Sequence, residues 1–174
     1  MANGLLSGLG IKRKIFVSYH HNADRSYYDA FIYAFSNTYD VIQDNSVERA
    51  VDSSNTDYVI RRIRENHITG SSCTIVLCGA QTPWRKFVDW EIKATLDKQH
   101  GLIGVNLPSN PLNTNNYYIV PDRLNDNIQS GYAVWIDWAA FTQNLQSVKQ
   151  YIELANSKPS YLINNNSVLR QRNG

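Results

Sequence analysis

Hydrophobic and polar positions divide the chain into five apolar runs separated by longer segments, several of which have the periodicity of helices. The runs that predict strands cover 14–19, 40–43, 73–78, 102–107 and 133–137. They are apolar through their length instead of alternating, which is typical of parallel strands covered by helices on both faces. The pattern therefore predicts a single-domain, three-layer α/β fold with a five-stranded, mostly parallel sheet in a flavodoxin-like order.

Between these runs, apolar residues recur at helical spacing. The predicted helices run from an Asp24 N-cap to about Tyr39, from Thr56 onward, through Glu91 to about His100, and from Phe141 to about Ala155. Gly101 is expected to end the third of them, as glycine often does.

The chain divides into an N-terminal extension (1–12), the α/β domain (13–156) and a polar tail (157–174) that is expected to be loosely held. Inside the domain, 108–131 is a long polar connection rich in asparagine and proline. Loops of that length are usually functional or mobile. A lid, a partner surface and a tolerated insertion all remain open for it.

Composition narrows the class of protein. Hydrophobic residues make up 43% of the 174 residues and charged residues 18%, with a net charge of +2. These values indicate a soluble globular protein and argue against a nucleic-acid partner or a membrane surface. No apolar run approaches the roughly 20 residues that span a bilayer. Basic residues follow the apolar N-terminal stretch instead of preceding it, which argues against a secretory signal.

The two cysteines, Cys73 and Cys78, lie on one predicted strand and so cannot easily form a disulfide. A reducing, cytoplasmic location fits them best. Cys78 ends its strand at the edge of the sheet where ligands bind, so a thiol nucleophile is conceivable there. A small buried hydrophobe is the favoured interpretation, because no second cysteine is placed for redox chemistry.

Several uses of this sheet are excluded by the residues at the strand ends. His20, His21, Cys78 and Gly79 stand where a phosphate-receiving domain needs acidic residues. The glycine patterns of dinucleotide-binding and P-loop proteins are missing from the sequence. His20 and His21 are adjacent, so an extended backbone directs them to opposite sides, and no metal site is predicted.

Glu91 is the strongest candidate for chemistry. It lies near the start of a predicted helix that follows a strand, where open α/β sheets bind ligands. The other charged residues of that helix share one face at spacings suited to ion pairs: Lys86, Asp89, Lys93 and Asp97. Glu91 instead borders the apolar stripe and has no lysine or arginine three or four residues on, so a catalytic role is plausible. Trp90 projects away from the stripe and is predicted to be a subunit contact.

Two motifs resemble TIR and TIR-like domains. The sequence Ile-Phe-Val-Ser-Tyr-His at 15–20 resembles their opening strand, and Phe-Val-Asp-Trp-Glu-Ile at 87–92 resembles their aromatic-x-x-x-Glu helix. The segments 78–82, 103–105 and 131–135 look like the bacterial TIR-like branch, with the closest likeness to the TIR-like subunit of the Thoeris antiphage system. The resemblance covers roughly residues 13–156.

The resemblance implies an enzyme that breaks the bond between nicotinamide and ribose in NAD, which is its substrate, with no separate cofactor. In Thoeris systems the product is similar to cyclic ADP-ribose and activates a separate effector protein after phage infection. A phage-derived trigger and a homo-oligomer are further expectations. Glu91 takes the position of the family's catalytic glutamate.

The resemblance also suggests substrate-binding residues. Phe16, Ser18 and His20 share one side of the first strand and could contact adenine, ribose or phosphate. Asp44 opens the second loop, where related domains shape the pocket, and Trp84 could stack on a ring. Plain alternatives stay open: Phe16 as core, Asp44 as a turn residue and Trp84 as helix-start packing. A non-catalytic TIR-like interaction module, with Glu91 as an ordinary helix residue, is the alternative for the whole protein.

Overall fold

The computed structural model describes residues 12–42 and 55–174. Its strands form one sheet: β1 (Arg13–Ser18), β2 (Tyr39–Ile42), β3 (Cys73–Cys78), β4 (Gly101–Asn106) and β5 (Val134–Asp137). The strand order is β2-β1-β3-β4-β5, and every neighbouring pair is parallel. The predicted fold class is confirmed, and the third strand has the predicted bounds.

Helices cover both faces of this sheet. They are α1 (Arg25–Phe35), α2 (Thr56–Ile63), α3 (Lys86–Asp97), α4 (Asp122–Gln129), α5 (Trp138–Phe141) and α6 (Leu145–Asn156). A π-helical turn, Arg64–Ile68, prolongs α2. The cores show that α1, α5 and α6 pack on one face and α2, α3 and α4 on the other. Strands buried on both faces explain why their sequences are continuously apolar.

The connection 108–131 differs from the prediction, because its second half contains helix α4. This helix was missed because it buries polar side chains as well as Leu124. Arg123 and Asn127 are both fully buried and face residues 164–167. A helix whose packed face includes an arginine and an asparagine lacks the apolar periodicity that reveals helices in a sequence.

The tail is attached to the domain, so the expectation of a loosely held tail was wrong. Asn127 donates from Nδ2 to the carbonyl of Asn164 at 2.6 Å and accepts from the Asn164 N–H at 2.9 Å. Residues 164–174, named the strap below, continue from there along α4 and α3. A polar segment becomes ordered here because buried polar groups of the domain supply its hydrogen-bond partners.

Two boundaries differ from the prediction. Helix α1 ends at Phe35, and Gly101 begins β4 instead of ending α3. The turn after α3 is made by Gln99, whose φ is +56°. Gly101 is required by close packing, since a Cβ atom there would lie 2.4 Å from Oδ1 of Asn156 at the end of α6.

Candidate active site

The carboxyl ends of β1 and β3 define the ligand-binding edge of the sheet. The two strands are neighbours, with Ser18 opposite Val76. The chain leaves β1 toward β2 on one side and leaves β3 toward β4 on the other. This reversal is a topological switch point, where open α/β sheets leave a crevice for a ligand.

A serine and a glutamate meet at this point. Ser18 is the last residue of β1, and its Oγ donates a hydrogen bond to Oε2 of Glu91 at 2.5 Å. Glu91 lies in the second turn of α3 and is only 3% exposed, while Ser18 is 1% exposed. Carboxylates are rarely buried to this degree. The sequence therefore indicated the right element for Glu91, and the tertiary structure brings Ser18 to it.

Two of the three residues predicted to share one side of the first strand, Phe16 and Ser18, do so. Phe16 lies on the same face as Ser18 but is completely buried among residues of α2 and α3. Its ring lies 5.6 Å from the ring of His67, centroid to centroid. Complete burial favours the core interpretation of Phe16.

The two histidines follow β1 in the loop that leads to α1. His20 is half-buried, and its carbonyl accepts a hydrogen bond from the N–H of Asp24 at 2.9 Å. His21 stacks on Tyr19, with 4.4 Å between the ring centroids. His20 therefore stays at the strand exit, where it was predicted, within the loop that borders the switch point.

Asp24 has a role that sequence reasoning missed. It precedes α1, but its carboxylate makes no capping bond to that helix. It accepts hydrogen bonds from Thr82 Oγ1 at 3.3 Å and from Ser109 Oγ at 3.2 Å instead. Burial raises the pKa of the Asp24 carboxyl, and these two hydrogen bonds partly oppose that rise. Asp24 thus ties together the loops that follow β1, β3 and β4.

The absence of a side chain at Gly79 leaves room for the Asp24 carboxylate. A Cβ atom at Gly79 would lie 2.3 Å from Oδ1 of Asp24, far inside contact distance. The Gly79 N–H donates to Thr82 Oγ1 at 2.9 Å. The sequence signal was the glycine directly after a strand, followed three residues later by a hydroxyl side chain, which is a common loop hydrogen-bonding pattern.

The two tryptophans near Glu91 both contact the strap. Trp90 is 4% exposed and donates from Nε1 to the carbonyl of Arg170 at 2.9 Å, so its prediction as a subunit contact was wrong. Trp84 lies in a short 3₁₀ turn before α3 and is 39% exposed. The guanidinium of Arg170 lies over its ring, 5.5 Å from the centroid. Asp44, the remaining predicted residue, lies outside the described residues.

The ion pairs predicted along helix α3 form only in part. Lys93 and Asp97 form the expected pair, at 3.1 Å. Asp89 does not pair along the helix. Its Oδ1 accepts from Nε of the fully buried Arg123 at 2.9 Å, and its Oδ2 accepts from the Arg170 N–H at 2.9 Å. A buried charge needs a partner, and α4 supplies it from 34 residues away.

The structure does not support a reactive thiol at the carboxyl edge of the sheet. Cys73 and Cys78 are free and fully buried, as expected for small hydrophobes on one strand. Burial raises the pKa of both thiols, which disfavours the reactive thiolate.

Within 12–42 and 55–174, no three metal-ligating side chains come together. Over the same residues, no helix has the length and hydrophobicity to cross a membrane.

A parallel sheet in this order, with a buried serine–glutamate pair at its switch point, defines an α/β domain of flavodoxin-like topology with a candidate site at the carboxyl ends of its strands. The model of the family "Thoeris protein ThsB, TIR-like domain" matches residues 16–111, more than half of the chain. The chain therefore belongs to the TIR-like domain family of the Thoeris protein ThsB. Helix α4 and the strap lie beyond the matched range.

Among solved structures, the chain is similar to the TIR domains of the activated Roq1 resistosome that recognises the pathogen effector XopQ. The identity is 11%, with a TM-score of 0.37, and the match covers 84% of this chain and 72% of that one. Comparison with curated proteins gives no match.

Proposed function

We propose that this chain is an NAD-consuming TIR-like enzyme of Thoeris antiphage defence. It cleaves the bond between nicotinamide and ribose and forms a signal of the cyclic ADP-ribose type. The single observation that carries the proposal is the buried Ser18–Glu91 hydrogen bond at the switch point of the sheet. Membership of the family supports the proposal, as does the resemblance of residues 87–92 to the aromatic-x-x-x-Glu helix, in which Glu91 would be the catalytic glutamate.

The chemistry suits a carboxylate at this position. When the C–N bond breaks, its electron pair leaves with nicotinamide and positive charge develops on the ribosyl carbon, as in glycoside cleavage. A fixed carboxylate beside the ribose stabilises that charge as it forms. The Ser18 hydroxyl donates to one Glu91 oxygen, so the direction of the carboxylate is set before substrate arrives.

The fate of the ribosyl cation decides the product. Attack by a nucleophile of the same substrate closes a ring, whereas attack by water gives ADP-ribose. We expect the loops after β1, β3 and β4, which the Asp24 hydrogen bonds join, to hold the rest of the substrate near the ribosyl carbon. Direct contacts of His20, Asp44 and Trp84 with NAD remain predictions, and NAD enters as substrate without a separate cofactor.

The proposed reaction implies two partners, an effector protein and a trigger. The signal reaches a separate effector protein by diffusion, and a phage-derived trigger starts its production. A homo-oligomer and a cytoplasmic location belong to the same proposal. The competing function is a non-catalytic TIR-like interaction module, in which the Ser18–Glu91 bond only ties α3 to the sheet.

The deciding experiment follows nicotinamide release and cyclic products by chromatography, with purified protein, NAD and lysate from phage-infected or uninfected cells. Glu91→Gln is expected to abolish turnover while the protein stays folded. The matched control is Glu65→Gln, because Glu65 is exposed on the turn after α2. Equal turnover by the parent and Glu91→Gln would exclude Glu91 from the mechanism. A folded parent that is inactive under every condition would favour the interaction module.

A further inference from the structure

Helix α3, which carries Glu91, is held by parts of the chain that lie outside the family match. The central residue is Arg123 on α4, which is 0% exposed. Its Nε donates to Asp89, one terminal nitrogen donates to Oδ1 of Asn165 at 2.8 Å, and the other donates to the carbonyl of Ser167 at 2.8 Å. One buried guanidinium therefore joins α3, α4 and the strap.

The strap then runs beside the first turns of α3. The N–H of Arg170 donates to Asp89, and its carbonyl accepts from the Trp90 indole. Two consecutive residues of the helix are thus bonded to the backbone of one strap residue. These contacts leave the helix little freedom to turn about its axis.

The start of α3 depends on the strap as well. The residue before the helix, Arg85, makes no side-chain capping bond. The Lys86 N–H donates instead to Oδ1 of Asn173 at 3.0 Å, and the Gly174 N–H donates to the carbonyl of Trp84 at 3.0 Å. Asparagine is among the best capping residues, so a residue 87 positions away performs a task that is normally local.

The strap and the active site act on opposite sides of the helix. Asp89 and Glu91 are two residues apart, which separates them by about 200° around the axis. Arg123 and the strap bond to Asp89 on one side of the helix, and Ser18 bonds to Glu91 on the other. A rotation of about 10° would move a carboxylate about 6 Å from the axis by about 1 Å. A displacement of that size is enough to cost about a hundredfold in rate.

We propose that Asn173 is a positioning residue for Glu91, and that the strap, which Arg123 holds against α3, belongs to the machinery of the active site. The inference rests on the function proposed above, because it assigns Glu91 a geometry that the reaction requires. It predicts that removing the cap lowers kcat without changing KM, since Asn173 bonds the helix backbone at Lys86 and so acts on the orientation of the reacting carboxylate.

The test compares Asn173→Ala, Asn173→Asp and the control Asn166→Ala, an exposed asparagine of the same strap. Asn173→Ala is expected to lower kcat for nicotinamide release by about ten- to a hundredfold with KM unchanged, the upper value being the cost of a displacement of about 1 Å. Asn173→Asp is expected to restore kcat, because aspartate caps helices as well as asparagine does. Unchanged kcat in Asn173→Ala, or no rescue by aspartate, would overturn the assignment of Asn173.

Hydrogen–deuterium exchange of the 86–91 amides supplies a readout that needs no NAD. Faster exchange in Asn173→Ala than in the parent and Asn166→Ala is expected, because the first turn of α3 loses its cap. Equal exchange would show that the Asn173 cap does not order the first turn of α3. A parent that releases no nicotinamide even with lysate from phage-infected cells would refute the proposed function. The exchange result would then test by itself whether Asn173 anchors the start of α3.

Discussion

Asp89 and Arg123 form a buried ion pair, with 2.9 Å between Oδ1 and Nε, that joins helix α3 to helix α4. The pair lies on the far side of α3 from Glu91 and Ser18. The remaining oxygen of Asp89 and the remaining donors of Arg123 bond to the strap. The helix that carries the candidate catalytic residue is therefore fixed by polar contacts on both sides.

The first prediction concerns this ion pair. Arg123→Met should lower the free energy of unfolding by about 3–5 kcal/mol, because Asp89 is left buried with its charge uncompensated. Asp89→Asn combined with Arg123→Met should recover part of that loss, since no net charge is then buried. Denaturant unfolding measures both variants. The control is Arg25→Met, which breaks the exposed Arg25–Asp29 pair. It should lower the free energy of unfolding much less than Arg123→Met does. Equal losses at the two sites would contradict the importance of burial.

The second prediction concerns the loop tie at Asp24. Gly79→Ala should destabilise the protein by about 1–3 kcal/mol, because the new methyl group collides with the Asp24 carboxylate. In a protein that already carries Asp24→Ala, Gly79→Ala should lower the stability far less, because the carboxylate oxygens with which the methyl group collides are absent. Thermal or denaturant unfolding of the four proteins gives the coupling between the sites. Additive effects would show that the collision is not the cause.

The third prediction concerns pH. Burial raises the pKa of Asp24 in the folded protein above its value of about 3.9 in an unfolded chain. The folded state therefore holds the proton more tightly, and this contribution to stability is full below about pH 3.9 and is lost as pH rises through the folded pKa. Asp24→Asn should gain stability relative to the parent as pH rises from 4 to 7, measured by denaturant unfolding at each pH.

Ser109→Ala provides the comparison for the pH prediction. It removes a hydrogen bond that lowers the pKa of Asp24, so the pH-dependent loss should extend to higher pH than in the parent. A stability difference between parent and Asp24→Asn that stays constant from pH 4 to 7 would contradict the raised pKa.

The fourth prediction separates the two interpretations of Cys78. Burial raises the pKa of its thiol, so the native protein should react slowly with a thiol reagent at pH 8, and the reaction should accelerate only on unfolding. Cys78→Ala should retain nicotinamide release, because Cys78 is a packing residue in this assignment. Loss of turnover in a Cys78→Ala protein that remains folded would restore the thiol as a candidate nucleophile.

Features that depend on neighbouring residues were readable from the sequence. Continuous apolar runs predicted the five parallel strands, because strands buried on both faces have no polar side to show. Glu91 stood out because no basic residue follows it at helical spacing, and the structure places it buried at the predicted edge of the sheet. Cys73 and Cys78 were expected on one strand and lie at its two ends.

Only the tertiary structure decided the polar contacts between distant segments. Nothing local to Asp89 reveals that its partner is Arg123, nor that Trp90 turns inward to bond Arg170. Helix α4 and the strap were misread for the same reason, since each is ordered by the polar groups of the other. Hydrophobic periodicity records which side of an element is buried, whereas the pairing of buried polar groups depends on which elements the fold brings together.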